Sequence, residues 1–356
     1  MATIGQQLLQ PEAGWKRYDD RDGCFKFQGS WTDYAHTSHY QGSHKATTVQ
    51  NDKIIFKFFG TKIRVIGFRY TDHSTNVEIK IDGLAANYSQ NGAQQFQTIL
   101  YEAVGLALGE HVVEITKLDA SGVNNAYCSI DAVDIDDTGC LLHPDEVTDI
   151  ADLDVGKRIR CHYQASTSGQ VGTFSGLGQE TSDFIPPTSS ATPNGDFYWI
   201  CCDIKNGKKI LLADRNIQHS ISWDKINEQG MTNTGREINL NFDKYKFIVR
   251  LLTGAITRDG NMIATDLDNE WVKYLSNDQS LWNHGSIYSW TSTTGTFTGA
   301  SGRIVMGGSI TNYRNTSFTG SSSSQNNVGF RPVLLIESLY TPTVKYLFED
   351  NGEVKK

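Results

Sequence analysis

The sequence lacks the features of a membrane-spanning or nucleic-acid-binding chain. No apolar run approaches the roughly 20 residues that a membrane span requires. Lys and Arg are scattered and the formal net charge is -8, so there is no basic patch for binding phosphates. We therefore expect neither membrane insertion nor a nucleic-acid partner. The first residues have neither a basic start nor an apolar segment, which predicts cytoplasmic synthesis without a signal peptide.

Cysteine is sparse and has no metal-site spacing. The chain has 6 cysteines, and an adjacent pair such as Cys201 and Cys202 does not match the C-x-x-C pattern of a metal or redox site. This pair lies in the apolar run FYWICCDI, where small buried thiols commonly pack in strands. We expect these cysteines to be buried structural residues.

The first half of the chain has the pattern of an all-β sandwich. Strand-like segments at 54–60, 61–70, 76–83, 96–104, 110–119 and 127–136 are separated by turn residues. In one of them Val77, Ile79 and Ile81 alternate with charged residues, which predicts one buried and one solvated face. The Asp82-Gly83 pair that follows is a hairpin-turn signal. We predict a jelly-roll β-sandwich over residues 1–138.

The second half mixes strands with short helices. An acidic, irregular stretch at 139–154 predicts an inter-domain linker. Beyond it, Ser220 or Ser222 is a candidate cap for a short helix that ends at Gly230, and a second helix is predicted within 266–277. The predicted fold class is mostly β, with an α+β domain over 155–345 following the jelly roll.

A long Gly/Ser/Thr/Asn-rich stretch from His284 to Glu337 carries isolated aromatics and ends in a buried apolar strand. Small polar residues offer adaptable hydrogen bonds and aromatics offer rigid contact area, a composition typical of recognition surfaces. Surface loops without a ligand are the alternative interpretation. The candidate ligand-binding residues are Tyr288, Trp290 and Tyr313 for stacking on sugar faces, and Asn312, Arg314 and Asn315 for orienting the sugar.

Two polar clusters in the first half are candidate ligand or metal sites. Asp19, Asp20 and Asp22 lie close enough in sequence to supply oxygen ligands to a structural calcium ion, and a solvated acidic turn is the alternative. A second cluster contains three histidines and two tyrosines. Its spacing does not match the helical zinc pattern, which favours a sugar-contacting or merely exposed loop over a zinc site. Its members are Tyr34, His36, His39, Tyr40 and His44.

The first half resembles galactose-binding-like jelly-roll domains, which occur beside carbohydrate-active enzymes and in phage and cell-surface proteins. The resemblance rests on WKRYDDRD at 15–22, I-x-F-x-F-x-G at 54–60, the G-E-H turn at 109–111 and I-D-A-V-D-I at 130–135. It implies the fold, and it implies a structural calcium as a common accompaniment. Many such sandwiches only space or dock their neighbours, so it does not identify a ligand.

The second half resembles C-terminal domains of tail-associated and receptor-binding proteins of phages that infect Gram-positive bacteria. The matching stretches are LLADRNIQHSISWDKIN, R-L-L-T-G at 250–254, D-N-E-W at 268–271, S-W-T-S at 289–292 and G-F-R-P-V-L at 329–334. The closing G-F-R-P is similar to that of C-type-lectin-like domains. Arg331 in this motif is expected to pair with a buried carboxylate.

These resemblances lead to the expectation of a non-enzymatic adhesin that binds a host cell-surface glycan. It would be synthesised in the host cytoplasm and carried on the virion as part of a phage tail. Other tail proteins would be its partners and a homo-oligomer, such as a trimer, its state. Two alternatives stay open: a structural tail or baseplate component, and a cell-wall glycan hydrolase. The latter needs two suitably placed carboxylates, which an excess of candidates does not identify.

Overall fold

The structure is a computed structural model that describes residues 1–120, 126–297, 300–339, 347–348 and 354–355. Strands hold 48% of the chain and helices 6%, so the predicted mostly-β class is confirmed. The chain forms two compact units, Met1–Glu146 and Val147–Lys356, called unit 1 and unit 2 below. Within the described ranges, no helix has the length and apolar character needed to cross a membrane.

Unit 1 is built from eleven described strands in two antiparallel sheets. The larger sheet has the order β1-β10-β5-β8-β6-β7, with β2 and β11 also paired to β5, and the smaller has the order β3-β4-β9. The strands are β1 (Trp15–Asp19), β2 (Lys26–Gln28), β3 (Thr32–Ala35), β4 (Ser43–Thr47), β5 (Lys53–Arg69), β6 (Val77–Ile81), β7 (Leu84–Tyr88), β8 (Gln95–Lys117), β9 (Cys128–Ile130), β10 (Ala132–Asp136) and β11 (Cys140–Leu142).

Two long strands organise unit 1. β5 and β8 pair along most of their lengths, and Ile54, Phe56 and Phe58 of β5 are fully buried. The sequence predicted two strands for each, whereas each is continuous. The pairing of β5 with β8 shifts register after Gly60, and such an irregularity bends a strand without ending it. A break in the sequence pattern therefore marked a bend, not a loop.

The predicted hairpin turn at Asp82-Gly83 is confirmed. It joins β6 to β7, and both residues have positive φ, 51° for Asp82 and 81° for Gly83. Two consecutive positive φ angles are what a two-residue type I′ turn requires, and Asp-Gly tolerates them at low cost. The burial of Val77, Ile79 and Ile81 confirms the predicted alternation along β6.

Unit 2 contains two larger sheets and three short helices. The sheets have the orders β13-β12-β14-β15-β23-β18-β17 and β16-β22-β19-β20-β21, and β24 pairs with β25. The elements are β12 (Arg158–Gln164), β13 (Thr173–Ser175), β14 (Asn194–Lys205), β15 (Lys208–Ala213), β16 (Gln218–His219), α1 (Trp223–Glu228), β17 (Arg236–Ile238), β18 (Tyr245–Leu251), α2 (Glu270–Tyr274), α3 (Gln279–Trp282), β19 (Tyr288–Phe297), β20 (Ala300–Gly307), β21 (Thr316–Thr319), β22 (Val328–Phe330), β23 (Pro332–Ser338), β24 (Leu347–Phe348) and β25 (Val354–Lys355).

The helices of unit 2 begin where side chains cap them. Ser222 accepts a hydrogen bond from the Lys225 backbone N–H at the start of α1, and Asn269 accepts one from Val272 N–H at the start of α2. Such caps satisfy backbone donors that have no partner within the helix. Both predicted helices are therefore present, although each is shorter than the sequence pattern suggested.

The boundary between the units lies within the stretch predicted as a linker at 139–154. Residues 140–142 form β11 and pair with β5, so they belong to unit 1. Ile150 and Leu153 are buried in a core cluster of unit 2. The stretch therefore contributes to both units, and of its acidic residues Asp149, Asp152 and Asp154 are exposed whereas Glu146 is buried.

All six cysteines are free thiols, as the buried-thiol interpretation requires. Cys201 has 1% of its surface exposed and lies on β14, and Cys202 beside it is partly buried. Burial raises the pKa of Cys201 to about 11, which keeps the thiol protonated and unreactive at neutral pH.

Candidate functional site

A cleft of about 580 Å³ opens on unit 1, and we call it the unit 1 cleft. It is formed by three separate parts of the chain: the N-terminal segment, the loop between β3 and β4, and the beginning of β8. Its lining residues are Gln7, Leu9, Gln10, Thr37, Ser38, His39, Tyr40, Gln41, Phe96 and Gln97.

The lining is polar but holds no Asp, Glu, Lys or Arg. Four glutamine amides and two aliphatic hydroxyl groups offer both donors and acceptors. Tyr40 and Phe96 offer aromatic surface beside them. Few charges, convergent neutral polar groups and some aromatic area suit a ligand that is itself neutral and rich in hydroxyl groups.

The N-terminal segment is attached to β8 by backbone hydrogen bonds. Gly5 N–H donates to Ile99 O at 2.8 Å, and Leu8 N–H donates to Gln97 O at 2.8 Å. The Gln7 side-chain amide donates to the Phe96 carbonyl at 3.0 Å. These hydrogen bonds hold the N-terminal segment, which forms one wall of the unit 1 cleft, against β8, which forms another.

Two glutamines of the unit 1 cleft have strained backbones. Gln41 and Gln97 each have a φ of 49°, in the left-handed region that non-glycine residues avoid. This conformation costs roughly 1–2 kcal/mol per residue. Gln97 is held there by its side chain, which donates to Ser38 O at 2.9 Å and accepts from Arg17 at 3.3 Å. Strain held by surrounding contacts is a common property of binding sites.

A buried carboxylate positions two lining residues. Asp131 has no exposed surface, and its Oδ2 lies 3.2 Å from His39 Nδ1. Its Oδ1 accepts a hydrogen bond from Tyr40 N–H at 2.9 Å. Burial raises the pKa of Asp131, against the opposing effect of the His39 hydrogen bond. Asp131 therefore holds the loop between β3 and β4 in place from the protein interior.

Aromatic rings form a column at one side of the unit 1 cleft. His36 stacks on Phe96 with ring centroids 4.8 Å apart and planes at 10°. Phe96 stacks in turn on Phe68 at 4.6 Å. His36 is exposed, so the column ends in a ring with a face open to solvent. The column is a rigid aromatic surface beside the amide groups, which is the arrangement that sugar rings use for stacking.

The predicted histidine cluster is only partly a surface loop. His39 and His44 are buried, with ring centroids 3.9 Å apart, whereas His36 is exposed. Burial, with the neighbouring imidazoles, lowers the pKa of His44 to about 3, so this ring is neutral at physiological pH. The described part of the chain has no group of three or more His, Cys, Asp or Glu side chains arranged to hold a metal ion.

The three aspartates proposed as calcium ligands have different environments. Asp19 forms an ion pair with Arg21 at 2.6 Å, and Asp22 Oδ1 accepts a hydrogen bond from Cys24 N–H. Asp20 is fully buried and neither carboxyl oxygen has a partner among the described residues. Burial, with Asp19 adding to it, raises the pKa of Asp20 to about 8. Among the described residues these carboxylates do not form a group arranged to hold a metal ion, and the calcium site stays a prediction.

Trp290, predicted to stack on a sugar, lies in the core of unit 2. Its side chain has no exposed surface, and its indole N–H donates to Ile221 O at 2.8 Å. A ring with both faces packed cannot receive a ligand, so this assignment is corrected. The polar residues around Trp290 suggested a display loop, but they flank it on β19, where side chains alternate between the two faces.

The other predicted residues of the second half lie near one another. Asn315 donates from its side-chain amide to the Tyr288 hydroxyl at 2.8 Å. Asn312 Oδ1 accepts from Arg314 N–H, and Tyr313 O accepts from the Trp271 indole at 2.7 Å. The structure thus brings five of the six residues into one region. Most of their contacts stabilise the loop between β20 and β21, and whether this region binds a ligand stays a prediction.

The residues that line the unit 1 cleft were mostly missed by sequence reasoning. The loop with His39 and Tyr40 was noted as a sugar-contacting candidate, but the glutamines and Phe96 were not. Glutamines at 7, 10, 41 and 97 carry no local signal, because only the fold brings them together. The nearest available signal was an aromatic residue followed by a glutamine, Phe96-Gln97, at the start of a predicted strand.

Comparisons with known proteins point to carbohydrate chemistry. No family model matches the chain. Over 107 residues it is 32% identical to an A type blood alpha-D-galactosamine galactosaminidase of Flavonifractor plautii. Over 108 residues it is 32% identical to an A type blood N-acetyl-alpha-D-galactosamine deacetylase of the same organism. Each match covers 30% of this chain, and the chain spans only 10% and 14% of the two relatives.

Similar solved structures are weaker matches. A family two carbohydrate esterase from Cellvibrio japonicus has a TM-score of 0.29 and 13% identity, over 36% of each chain. A CBM35 module from the same organism has a TM-score of 0.28 and 15% identity, over 36% of this chain and 98% of that one. Scores this low support no inference about function.

The expectation of a non-enzymatic protein is wrong on these findings. Both curated relatives are named as enzymes, one a galactosaminidase and the other a deacetylase. The comparisons give no support to the phage setting either, so the tail-protein partners, the trimer and the virion location stay predictions. The expectation had rested on the lack of a recognisable catalytic motif, and the lack of a motif does not exclude an enzyme.

Proposed function

We propose that this chain belongs to a carbohydrate-active enzyme and that its unit 1 cleft binds a neutral sugar of a glycan substrate. The role of unit 1 would be to hold the glycan while the reaction proceeds at a catalytic centre. N-acetylgalactosamine is the sugar to test first, because it is the neutral amino sugar in the name of one relative.

The observation that carries the proposal is the chemistry of the cleft lining. Amides and hydroxyls without a formal charge line the cleft together with Phe96, which the stacked rings of His36 and Phe68 hold in place, and the two strained glutamines lie in the same lining. A sugar would place its hydroxyl groups against the amides and an apolar edge against the accessible edge of Phe96, whose two faces are covered by His36 and Phe68. The matched segments of the two relatives support a carbohydrate context independently of this geometry.

Replacing Phe96 by Ala tests the site. The change removes the ring that joins His36 to Phe68, so we expect binding of N-acetylgalactosamine to weaken roughly tenfold or more. Isothermal titration of the full chain measures the dissociation constant. A uronic acid of the same ring size should bind more weakly than the neutral sugar, since a cleft without cationic lining offers a carboxylate no ion pair.

Trp31→Ala provides a matched control for this test. Trp31 is a half-buried aromatic of unit 1 that packs edge-on against Phe27 and lies outside the cleft lining. The Trp31→Ala variant should leave the dissociation constant for N-acetylgalactosamine unchanged. Equal affinities for the wild-type chain and Phe96→Ala, or a preference for the acidic sugar, would remove the unit 1 cleft as the binding site.

A further inference from the structure

A smaller pocket opens on unit 2, at the loop that joins β12 to β13. Its volume is about 210 Å³, less than half that of the unit 1 cleft, which suits a small ligand and not a polymer segment. Residues 164–167 and 170–173 line it, so the whole lining belongs to this loop and the adjoining ends of the two strands. We call it the unit 2 pocket.

Two fully buried polar side chains hold this loop from the protein interior. Tyr163 and Gln218 have no exposed surface. The Tyr163 hydroxyl donates to Gln218 Oε1 and accepts from Gly172 N–H, both at 2.7 Å. Gln218 Nε2 donates to Gln170 O at 2.8 Å. Buried polar groups are costly unless they are paired, so these hydrogen bonds strongly favour one conformation of the loop.

Glycine at position 172 allows a close approach of the two sides of the loop. A Cβ atom there would lie 2.1 Å from Gln164 O, far inside a normal contact distance. The position therefore needs glycine for space. Together with the buried hydrogen bonds, this packing forms the unit 2 pocket before a ligand arrives, which reduces the entropy lost on binding.

Five polar side chains of the lining have no hydrogen-bond partner within the described ranges. They are the amides of Gln164 and Gln170 and the hydroxyls of Ser166, Thr167 and Thr173. These groups offer both donors and acceptors to a ligand. The lining contains no Asp, Glu, Lys or Arg, so the pocket offers no ion pair to a phosphate, a carboxylate or an amine. A neutral molecule with several hydroxyl groups therefore fits it best.

We propose that the unit 2 pocket is a second carbohydrate site, which binds one neutral sugar ring through hydrogen bonds to these amides and hydroxyls. A ring suits a rigid pocket better than an open-chain polyol, because its hydroxyl groups are already fixed relative to one another and it loses less entropy on binding. The lining has no aromatic ring for stacking, so the affinity is weak, with a dissociation constant of roughly 1–10 mM. This site is additional to the unit 1 cleft and does not depend on it.

NMR titration of the isotope-labelled full chain with D-glucose, D-galactose and D-mannose tests the site. We expect the amide signals of Thr167, Gln170 and Thr173 to shift with one common dissociation constant for at least one of these sugars. The corresponding open-chain alditol should bind roughly tenfold more weakly. The absence of these shifts with all three sugars at about 100 mM, roughly ten times the weakest expected dissociation constant, would overturn the proposal, as would equal affinity for a sugar and its alditol.

The same spectra report on the unit 1 cleft through its own amide signals, so either site can fail without the other.

A double variant, Gln164→Leu/Thr173→Val, removes two of the lining's polar groups at exposed positions, where the fold should tolerate the change. The dissociation constant for the bound sugar should rise roughly tenfold or more, because two hydrogen bonds to the ligand are lost. Gln179→Leu/Thr234→Val changes the same residue types at exposed positions of unit 2 outside the pocket, and it should keep the wild-type affinity. An unchanged dissociation constant in the first variant, or an equal loss in the second, would overturn the assignment to this pocket.

Discussion

At the scale of single residues, two glutamines of the unit 1 cleft have backbone conformations that glutamine does not favour. Gln41 and Gln97 have positive φ angles although glutamine has no local preference for them. Gln97 stays there because Ser38 and Arg17 hold its amide. The side chain is thereby aligned before a ligand arrives, which reduces the entropy lost on binding.

Asp20 gives unit 1 a pH-dependent stability. Its pKa rises from 3.8 to about 8 on folding, so the folded chain keeps a proton that the unfolded chain releases. The stabilisation is complete below pH 3.8 and is lost as the pH rises toward 8. The unfolding free energy of unit 1 should therefore fall between pH 5 and pH 9, by more than about 1.4 kcal/mol, the equivalent of one pKa unit.

Asp20→Asn should reduce this fall, because an amide has no proton to lose in this range. Hydrogen exchange of buried unit 1 amides, corrected for the intrinsic rate at each pH, measures the free energy of each unit separately. Asp137→Asn, at an exposed position of the same unit, is the control. Identical pH dependence in the wild-type chain and Asp20→Asn would contradict the raised pKa.

Residue identity alone separated exposed from buried aromatics poorly. Trp290 lies in a polar stretch and yet is a core residue, whereas Phe96 is the second residue of β8 and yet lines the cleft. Period-2 alternation explains Trp290 once β19 is known to be a strand. Without knowledge of the strand, the Ser and Thr residues that flank Trp290 do not indicate which side chains face the core and which face solvent.

At the scale of secondary-structure elements, β1 is joined to the rest of unit 1 by a buried ion pair. Arg17 on β1 donates to both carboxylate oxygens of Asp134 on β10, at 2.6 and 2.9 Å. Arg17 also donates to Leu8 O and lies 5.4 Å from the Tyr40 ring. One side chain thus connects the large sheet to the N-terminal segment and the cleft, which makes it a positioning residue.

Arg17→Met should destabilise unit 1 by about 3–5 kcal/mol, because it leaves the Asp134 carboxylate buried without a partner. The double variant Arg17→Met/Asp134→Leu should recover much of that loss, since no buried charge remains. Urea unfolding with hydrogen exchange as the readout measures both. A double variant that is less stable than Arg17→Met would contradict this account of the ion pair.

Strand and turn positions were largely predictable at this scale, and strand continuity was not. Alternation identified β6, and Asp82-Gly83 identified its turn, because both signals are local. β5 and β8 appeared as four segments because their irregularities interrupt the pattern. Pairing between β5 and β8 keeps them continuous, and it joins residues that are distant in sequence, from Arg69 with Gln95 to Lys53 with Thr116. A local pattern carries no information about such pairing.

At the scale of the whole molecule, the cleft depends on long-range assembly. Its walls come from residues 7–10, 37–41 and 96–97, which only the folded unit 1 brings together. The sequence supported a jelly-roll with a candidate polar loop, but it favoured the second unit as the binding surface because the composition there is more suggestive. Amino-acid composition indicates which chemical groups a segment presents, but it does not determine which part of the folded surface forms a cleft.

The central claim is that a neutral sugar binds in the unit 1 cleft. Its most direct test is the backbone NMR spectrum of the isotope-labelled full chain during titration with N-acetylgalactosamine. We predict that the amide signals of Ser38, Gln41 and Gln97 shift with a common dissociation constant, while those of Tyr288 and Asn315 do not move. Shifts confined to unit 2, or no shifts with any neutral glycan, would contradict the account.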